Sequence, residues 1–338
     1  MGEATIRDVA RRAEVSVASV SRALNGLDNV RAETRERVIK AAADLGYVPH
    51  AGARSLSLAR AHAIGVVLPD LHGEFFSECV RGMDKEASRR GYLLLLSNMH
   101  DDSDQAAVAL RAMRGRVDGL LVMAPHIEAA ALERTLPQAL PAVLINGPAE
   151  LDSRPALRFD NRAGAAAMVD HLIANGYRRI VHIAGAAGNI DADERAQGYS
   201  GAMQRHGLDP AIIPGNFTEE AGETAARRIL SGEYACDAVF AANDMMAIGC
   251  LHTLRNGGQR VPEDVAVAGF DDVPLARYLA LTTMRVNIAE IGARAVARLI
   301  DLLEGKDAGA SSEMHTPELV ARATTAPRGG TAGGAAHA

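Results

Sequence analysis

The sequence predicts a small all-α head followed by a larger α/β body made of two half-domains. Three observations carry this. Residues 5–25, TIRDVARRAEVSVASVSRALN, read as two short helices joined by a tight turn. From Ala61 onward, short apolar runs alternate with longer amphipathic stretches. The 338 residues suffice for two or three domains, each with its own core.

In the head, Thr5 is placed to cap a first helix, with Asp8 three residues on, where an acid favours a helix N-terminus. Val9, Ala10 and Ala13 recur at helical spacing, and Glu14 and Val15 break the run. Ser16 can cap a second helix reaching about Leu24, with Val20 and Leu24 inward. Val17, Ala18, Ser19, Ser21 and Arg22 then face outward, as the second helix of a helix-turn-helix faces base edges. A third helix is expected over Ala32–Asp44, with Val38, Ala41, Ala42 and Leu45 on one face and Gly46 ending it. Pro49 stops any continuation, and residues 50–60 form a linker of weak helical character.

In the body, the apolar runs fall at 63–69, 92–97, 119–124, 142–146, 179–185, 237–243 and 264–270. Candidate helices lie near 75–90, 103–115, 163–175, 192–206, 220–231, 244–256 and 288–304. Buried runs alternating with crossover helices indicate parallel sheets, one over about 62–160 and another over about 163–284. The Gly/Ala-rich tail from Pro327 is expected to be disordered.

Composition narrows the function. No apolar run approaches the ~20 residues of a membrane span, and no basic-then-apolar leader is evident, so a cytoplasmic location is expected. Cys79, Cys236 and Cys250 are scattered and read as reduced core thiols. The histidines lack ligand spacing, so neither metal nor cofactor is expected. No phosphate loop, dinucleotide fingerprint or nucleophile elbow occurs, so no enzyme is expected. The net charge of −6 hides an asymmetry: residues 1–60 hold ten Lys/Arg against seven Asp/Glu, a net +3, leaving −9 on the rest. A basic head on an acidic body suits contact with phosphate at one end only.

Residues 5–25 resemble the N-terminus of the lactose-repressor (LacI/GalR) family. The resemblance continues through VRAETRERVIKAAADLGYVPHAGARSL (30–56), NDMMAIG (243–249), VPEDVAVAGFDD (261–272) and LTTMR (281–285). It implies a helix-turn-helix head (1–49), a hinge (50–60) and a two-lobed core of the periplasmic-binding-protein type (type I, 61–326). Lobe 1 would take about 62–160 and 288–316, and lobe 2 about 163–284 and 317–326, the last strand lying near 319–324. It further implies a ligand-responsive transcriptional regulator, most simply a repressor, that binds a palindromic operator in double-stranded DNA as a homodimer. An activator of the same fold is the runner-up. A sugar-binding module without DNA binding is the remote alternative.

The resemblance assigns roles by position. Val17, Ala18 and Arg22 fall where base contacts lie. Arg22 can donate two hydrogen bonds to guanine, and Val17 and Ala18 can touch thymine methyls. Thr5, Ser16, Ser19, Ser21, Asn25, Thr34 and Tyr47 would meet phosphates, which sets register; Ser16 can also cap. Leu56 in ARSL (53–56) matches the leucine wedged into the minor groove, though it could instead pack on the core. Ala53 would let two hinge helices approach. His50 stands where asparagine is common, and Gly52 costs the hinge helix ~1 kcal/mol relative to alanine.

For the effector, Arg195 in DERAQGY, Asn243 in NDMMAIG and Asp271 in GFDD match cleft positions. Phe217 would stack on a ligand ring or be plain core. Asp70, Phe75 and Asn146 would line the first lobe, and Asn189 and Asp191 would set specificity. Ile288 is a candidate apolar contact, and Asp160 a candidate interlobe bridge. Val286 departs from a position where the family often has glutamine. Arg195, Asp271 and Asn243 favour a sugar or sugar derivative, with a purine or other metabolite as the alternative.

Leu56→Ala is expected to weaken operator affinity and reduce DNA bending in a circular-permutation gel assay; unchanged bending removes the wedge assignment.

Overall fold

A computed structural model describes residues 4–25, 30–48, 60–100, 102–148, 151, 153–306 and 311–328. The hinge readings at His50, Gly52, Ala53 and Leu56, and most of the tail, lie outside these residues.

The head is three helices: α1 (Ile6–Ala13), α2 (Val17–Leu24) and α3 (Ala32–Asp44). Their shared core is Val9, Ala10, Ala13, Val20, Ala23, Val38, Ala41 and Ala42. Small alanines let the three axes approach closely. Asp8 closes the start of α1 by accepting from Thr5 N at 3.0 Å and Thr5 Oγ1 at 2.6 Å. Ser16 Oγ accepts from Ser19 N at 3.1 Å and so starts α2. Two inward expectations shift: Ala23 rather than Leu24 is the buried residue at the end of α2, and Leu45 is exposed. Gly46, at φ 60°, turns the chain out of α3 in a left-handed conformation.

The first lobe holds a six-stranded, all-parallel sheet. Its strands are β1 (Ala63–Leu68), β2 (Leu93–Asn98), β3 (Gly119–Met123), β4 (Ala142–Ile145), β5 (Ala156–Phe159) and β11 (Ser312–His315), in the order β11-β5-β4-β3-β1-β2. Helices α4 (Glu74–Arg89), α5 (Ser103–Met113), α6 (Ala129–Thr135) and α12 (Ile288–Leu303) accompany it. β1, β3 and β4 are buried along their full length, as their unbroken apolar runs require. β2 is the exception. It sits at the sheet edge, and Leu93, Leu95 and Leu96 are exposed there, so that apolar run does not mark a buried strand.

The second lobe has a four-stranded parallel sheet, β7-β6-β8-β9. Its strands are β6 (Ile180–Ile183), β7 (Ala211–Ile213), β8 (Ala238–Ala241) and β9 (Ala266–Ala268). An antiparallel pair, β10 (Thr283–Arg285) with β12 (Glu318–Val320), joins it through a bridge between Ala268 and Thr282. Helices α7 (Asn161–Ala174), α8 (Ile190–Arg205), α9 (Glu219–Leu230), α10 (Asp244–Asn256) and α11 (Pro274–Tyr278) belong here. The chain passes between the sheets after β5, after β10 and after β11. Three short strands (β5, β7, β11) and helices α6 and α11 carry too few residues to show a period in the sequence. Among the described residues, no helix is long and apolar enough to cross a membrane.

Glycines set the helix crossings. A Cβ on Gly82 of α4 would sit 1.9 Å from Ala289 O of α12, and one on Gly292 of α12 would sit 2.3 Å from Cys79 O of α4. In lobe 2, Gly222 of α9 and Gly249 of α10 meet Met246 O at 2.0 Å and Glu219 O at 2.1 Å in the same way. These are backbone neighbours that cannot swing aside. Gly249→Ala is expected to destabilise the core by about 1–3 kcal/mol in urea unfolding, since α9 and α10 must separate; an unchanged midpoint contradicts the close crossing.

Candidate functional site

The outward face of the head matches the expected geometry. Val17, Ala18 and Arg22 are exposed along one side of α2, while Val20 and Ala23 anchor the other. Arg22 Nε donates to Ala18 O at 3.2 Å, so its guanidinium lies back along the helix. The proposed phosphate contacts are less uniform. Thr5 donates to Asp8, and the Ser16 and Ser19 hydroxyls lie 2.9 Å apart. Ser21 Oγ accepts from Asn25 Nδ2 at 3.4 Å. Thr34 sits in the first turn of α3, half-buried, and Tyr47 follows α3 and packs on the head core.

Between the lobes lies a cleft of about 820 Å³ including its open mouth. It forms where the parallel strands end, so loops after β1, β3, β6, β7, β8 and β9 reach it together. Asp70, Phe75, Asn189, Asp191, Arg195, Phe217, Asn243 and Asp271 line it. Asn146 does not. It is buried behind the wall, where its Nδ2 donates to Asp191 Oδ2 at 3.3 Å and its Oδ1 accepts from Phe159 N at 3.1 Å. Ile288 is buried and is not among the lining residues, and Asp160 accepts from Ala163 N at 2.9 Å as the cap of α7. Sequence reasoning missed His72, Phe76, Met123, Asn216, Thr218 and Met245. Most lie within three residues of a recognised position, so the loops were the legible signal and their individual side chains were not.

Arg195 organises the floor. Its Nε donates to Asn161 Oδ1 at 2.9 Å, its Nη1 donates to Ala242 O at 2.5 Å, and its guanidinium lies 3.8 Å from the centre of the Phe270 ring. Asp271 Oδ1 is 3.3 Å from Nη1, yet this buried oxygen accepts no hydrogen bond. Asn161 Nδ2 donates to Asp191 Oδ1 at 2.8 Å, which ties α7 to α8. Asn189 and Asn243 each spend the side-chain oxygen on a helix cap, from Asp191 N at 3.0 Å and Met246 N at 3.0 Å. What they can offer a ligand is amide N–H. Asn243 also donates to Phe217 O at 2.9 Å. Phe217 holds a left-handed φ of 72°, which bulky residues rarely adopt. Its ring lies on Gly185, where any Cβ would stand 2.2 Å from it.

The lobes also meet directly. Ile190 N donates to Pro125 O at 2.8 Å, and Leu275 N donates to Glu74 Oε2 at 2.9 Å. At the mouth His72 Nε2 lies 3.2 Å from Glu219 Oε2. That hydrogen bond, with the negative charge beside it, raises the His72 pKa. Its stabilisation is therefore full below the ordinary histidine pKa and fades as pH rises through the raised one.

Burial pushes the Asp271 carboxyl up to about 7; Arg195 opposes this and Asp191 adds to it. Burial likewise raises Asp191, against the pull of Arg195 and Asn161. Burial and the Asp271 charge hold Asp244 well above the usual carboxylate range, while its oxygens accept from Thr283 Oγ1 at 2.6 Å and Val273 N at 2.9 Å. Among the described residues no group of three or more His, Cys, Asp or Glu could hold a metal.

A helical head with one helix face turned outward, carried by two parallel-sheet lobes around a cleft with aromatic and charged walls, defines a ligand-responsive DNA-binding regulator. Residues 5–50 match the family of bacterial regulatory proteins, lacI family, and residues 169–325 match the periplasmic binding protein-like domain. The repressor CytR of Escherichia coli K12 is 35% identical over 95% of this chain and 96% of its own. The lac repressor dimer bound to operator and the anti-inducer ONPF superposes with a TM-score of 0.86 at 28% identity, over 96% of this chain and 100% of that one. The CelR–cellobiose complex gives 0.71 at 30% identity, over 95% and 99%. The chain belongs to the lacI family of bacterial regulatory proteins, and these relatives are transcriptional regulators.

Because the folded Asp271 carboxyl binds its proton more tightly than an unfolded one, ionising it costs stability as pH rises from its ordinary 3.8 through about 7. A carbon-detected carboxyl titration of the ligand-free protein should place its midpoint near 7. A midpoint near the ordinary aspartate value contradicts the burial of this carboxyl.

Proposed function

We propose that this chain is a repressor whose grip on a palindromic operator is set by a sugar or sugar derivative in the interlobe cleft. Residues 1–49 form the reading head, 50–60 the hinge, and 61–326 the two-lobed sensor, with the tail beyond. In the head, Val17, Ala18 and Arg22 read bases, Leu56 of the hinge wedges the minor groove, and Thr5, Ser16, Ser19, Ser21, Asn25, Thr34 and Tyr47 meet phosphates. In the cleft, Asp70, Phe75, Asn189, Asp191, Arg195, Phe217, Asn243 and Asp271 bind the effector, and Asn146 acts by holding Asp191.

One observation carries the reading. Arg195, Asn161 and Asp191 form a buried polar network at the seam of the lobes, and beside it Asp271, ion-paired with Arg195 at 3.3 Å, lines the cleft. Such an acceptor fits a sugar hydroxyl, while Phe75 and Phe217 offer faces for the apolar side of a ring. The cellobiose complex of CelR supports a sugar, and the operator-bound lac repressor dimer supports a two-fold assembly. The exposed Leu93, Leu95 and Leu96 on edge strand β2 supply apolar surface for a second copy on lobe 1.

The mechanism is a coupling free energy. A ligand that bridges the lobes favours one angle between them, and that angle sets the separation of the paired hinges. Two outcomes test it. Arg22→Ala should relax specificity at one base step per half-site, by roughly 1–3 kcal/mol in competition binding; uniform weakening on all DNA makes Arg22 a phosphate contact. An effector found by thermal shift should lose most of its stabilisation in Asp271→Ala; an undiminished shift removes Asp271 from the site.

A further inference from the structure

We propose that the cleft is built to reject anions, so that its effector is an unphosphorylated, uncharged or cationic ligand that donates a hydrogen bond to Asp271. This rests on the sensing role proposed above and narrows its ligand class.

Four helix N-termini converge on the cleft: α4 through Gly73 and Phe75, α8 through Asn189, α9 through Thr218 and α10 through Asn243 and Met245. Bare helix N-termini attract phosphate, because unpaired N–H groups and the helix dipole both favour negative charge. Here three of the four are capped by a side chain, and all four carry acids in the first turn. The first turns carry Glu74, Asp191 with Asp193, Glu219 with Glu220, and Asp244. Side chains of Asn189, Thr218 and Asn243 take up the first N–H groups as caps. The protein has thus spent its own anions and acceptors where a ligand phosphate would seat.

The cations do not reverse this. Among the described lining residues only Arg195 carries a permanent positive charge, and its Nε and Nη1 donate to Asn161 and Ala242, with Asp271 3.3 Å from Nη1. His72 is engaged with Glu219 at the mouth. Against them stand Asp70, Asp191 and Asp271 in the wall. A phosphate ester entering would meet a negative field with no guanidinium fork to receive it. A hydroxyl or amine meets the opposite. Asp271 lines the cleft at 4% exposure, and its Oδ1, ion-paired with Arg195 Nη1 at 3.3 Å, accepts no hydrogen bond, a costly state that a ligand donor at this carboxyl would relieve.

The test uses the full-length protein and matched pairs: ribose and ribose 5-phosphate, glucose and glucose 6-phosphate, adenosine and its monophosphate. Stabilisation is read by thermal shift, and any hit is titrated by calorimetry. The expected result is a shift from a neutral member with at least about tenfold weaker binding of its phosphate ester, the factor that ~1.4 kcal/mol of repulsion represents. In Glu219→Gln/Glu220→Gln, which lightens the charge at the mouth while leaving the buried floor intact, that ratio should narrow. A phosphate ester that binds as well as or better than its neutral partner overturns the proposal and leaves effector sensing standing. No shift from any neutral or phosphorylated member overturns both.

Discussion

The buried guanidinium of Arg195 is the constraint around which the sensor is arranged. A charge so far from water must be met on every side, and four groups meet it: the Ala242 carbonyl, the Asn161 amide oxygen, the Asp271 carboxylate and the face of Phe270. These partners come from the end of β8, the start of α7 and the loop after β9. Satisfying one side chain therefore fixes the relative positions of three elements. Asn161 passes the constraint to Asp191, and Asp191 passes it to Asn146 in the first lobe. The lobe seam and the floor of the cleft are parts of one polar network.

Backbone strain appears at the same place. Phe217, Asp271 and Asn146 all take positive φ, at 72°, 110° and 48°. None is a glycine, so each is held there by its surroundings. Phe217 is pinned by Gly185 beneath its ring and by Asn243 on its carbonyl. Strain gathered at a cleft is how a fold presents groups in one arrangement before a ligand arrives.

Much of this was legible in the residues. The three helices of the head showed in apolar spacing and in the caps at Thr5 and Ser16. The wholly buried strands β1, β3 and β4 showed as unbroken apolar runs. β2 carried the same signal and meant something else, because a run of leucines does not say whether its strand lies inside a sheet or at its edge. β7 is three residues held between prolines, and β11 reads SEMH, with no apolar run to mark it. In the cleft, eight of the nine resemblance-derived residues meet, since motifs mark the loops at strand ends. Asn146 turned inward because its unusual φ aims the side chain at Asp191 rather than at the opening. His72 and Glu219 are far apart in sequence, and only the closed lobes bring them together.

The charge distribution and the network divide the labour. Head and hinge together (residues 1–60) carry net +3 on a body of −9, a balance that suits phosphate contact at one end. What joins the two ends is linkage, and linkage is reciprocal. The most direct test is to titrate an effector into the protein alone and into the protein saturated with operator, beside operator titrations with and without that effector. The account predicts that the two affinity ratios are equal and differ from one by several-fold. An effector that binds free and operator-bound protein with the same affinity contradicts it.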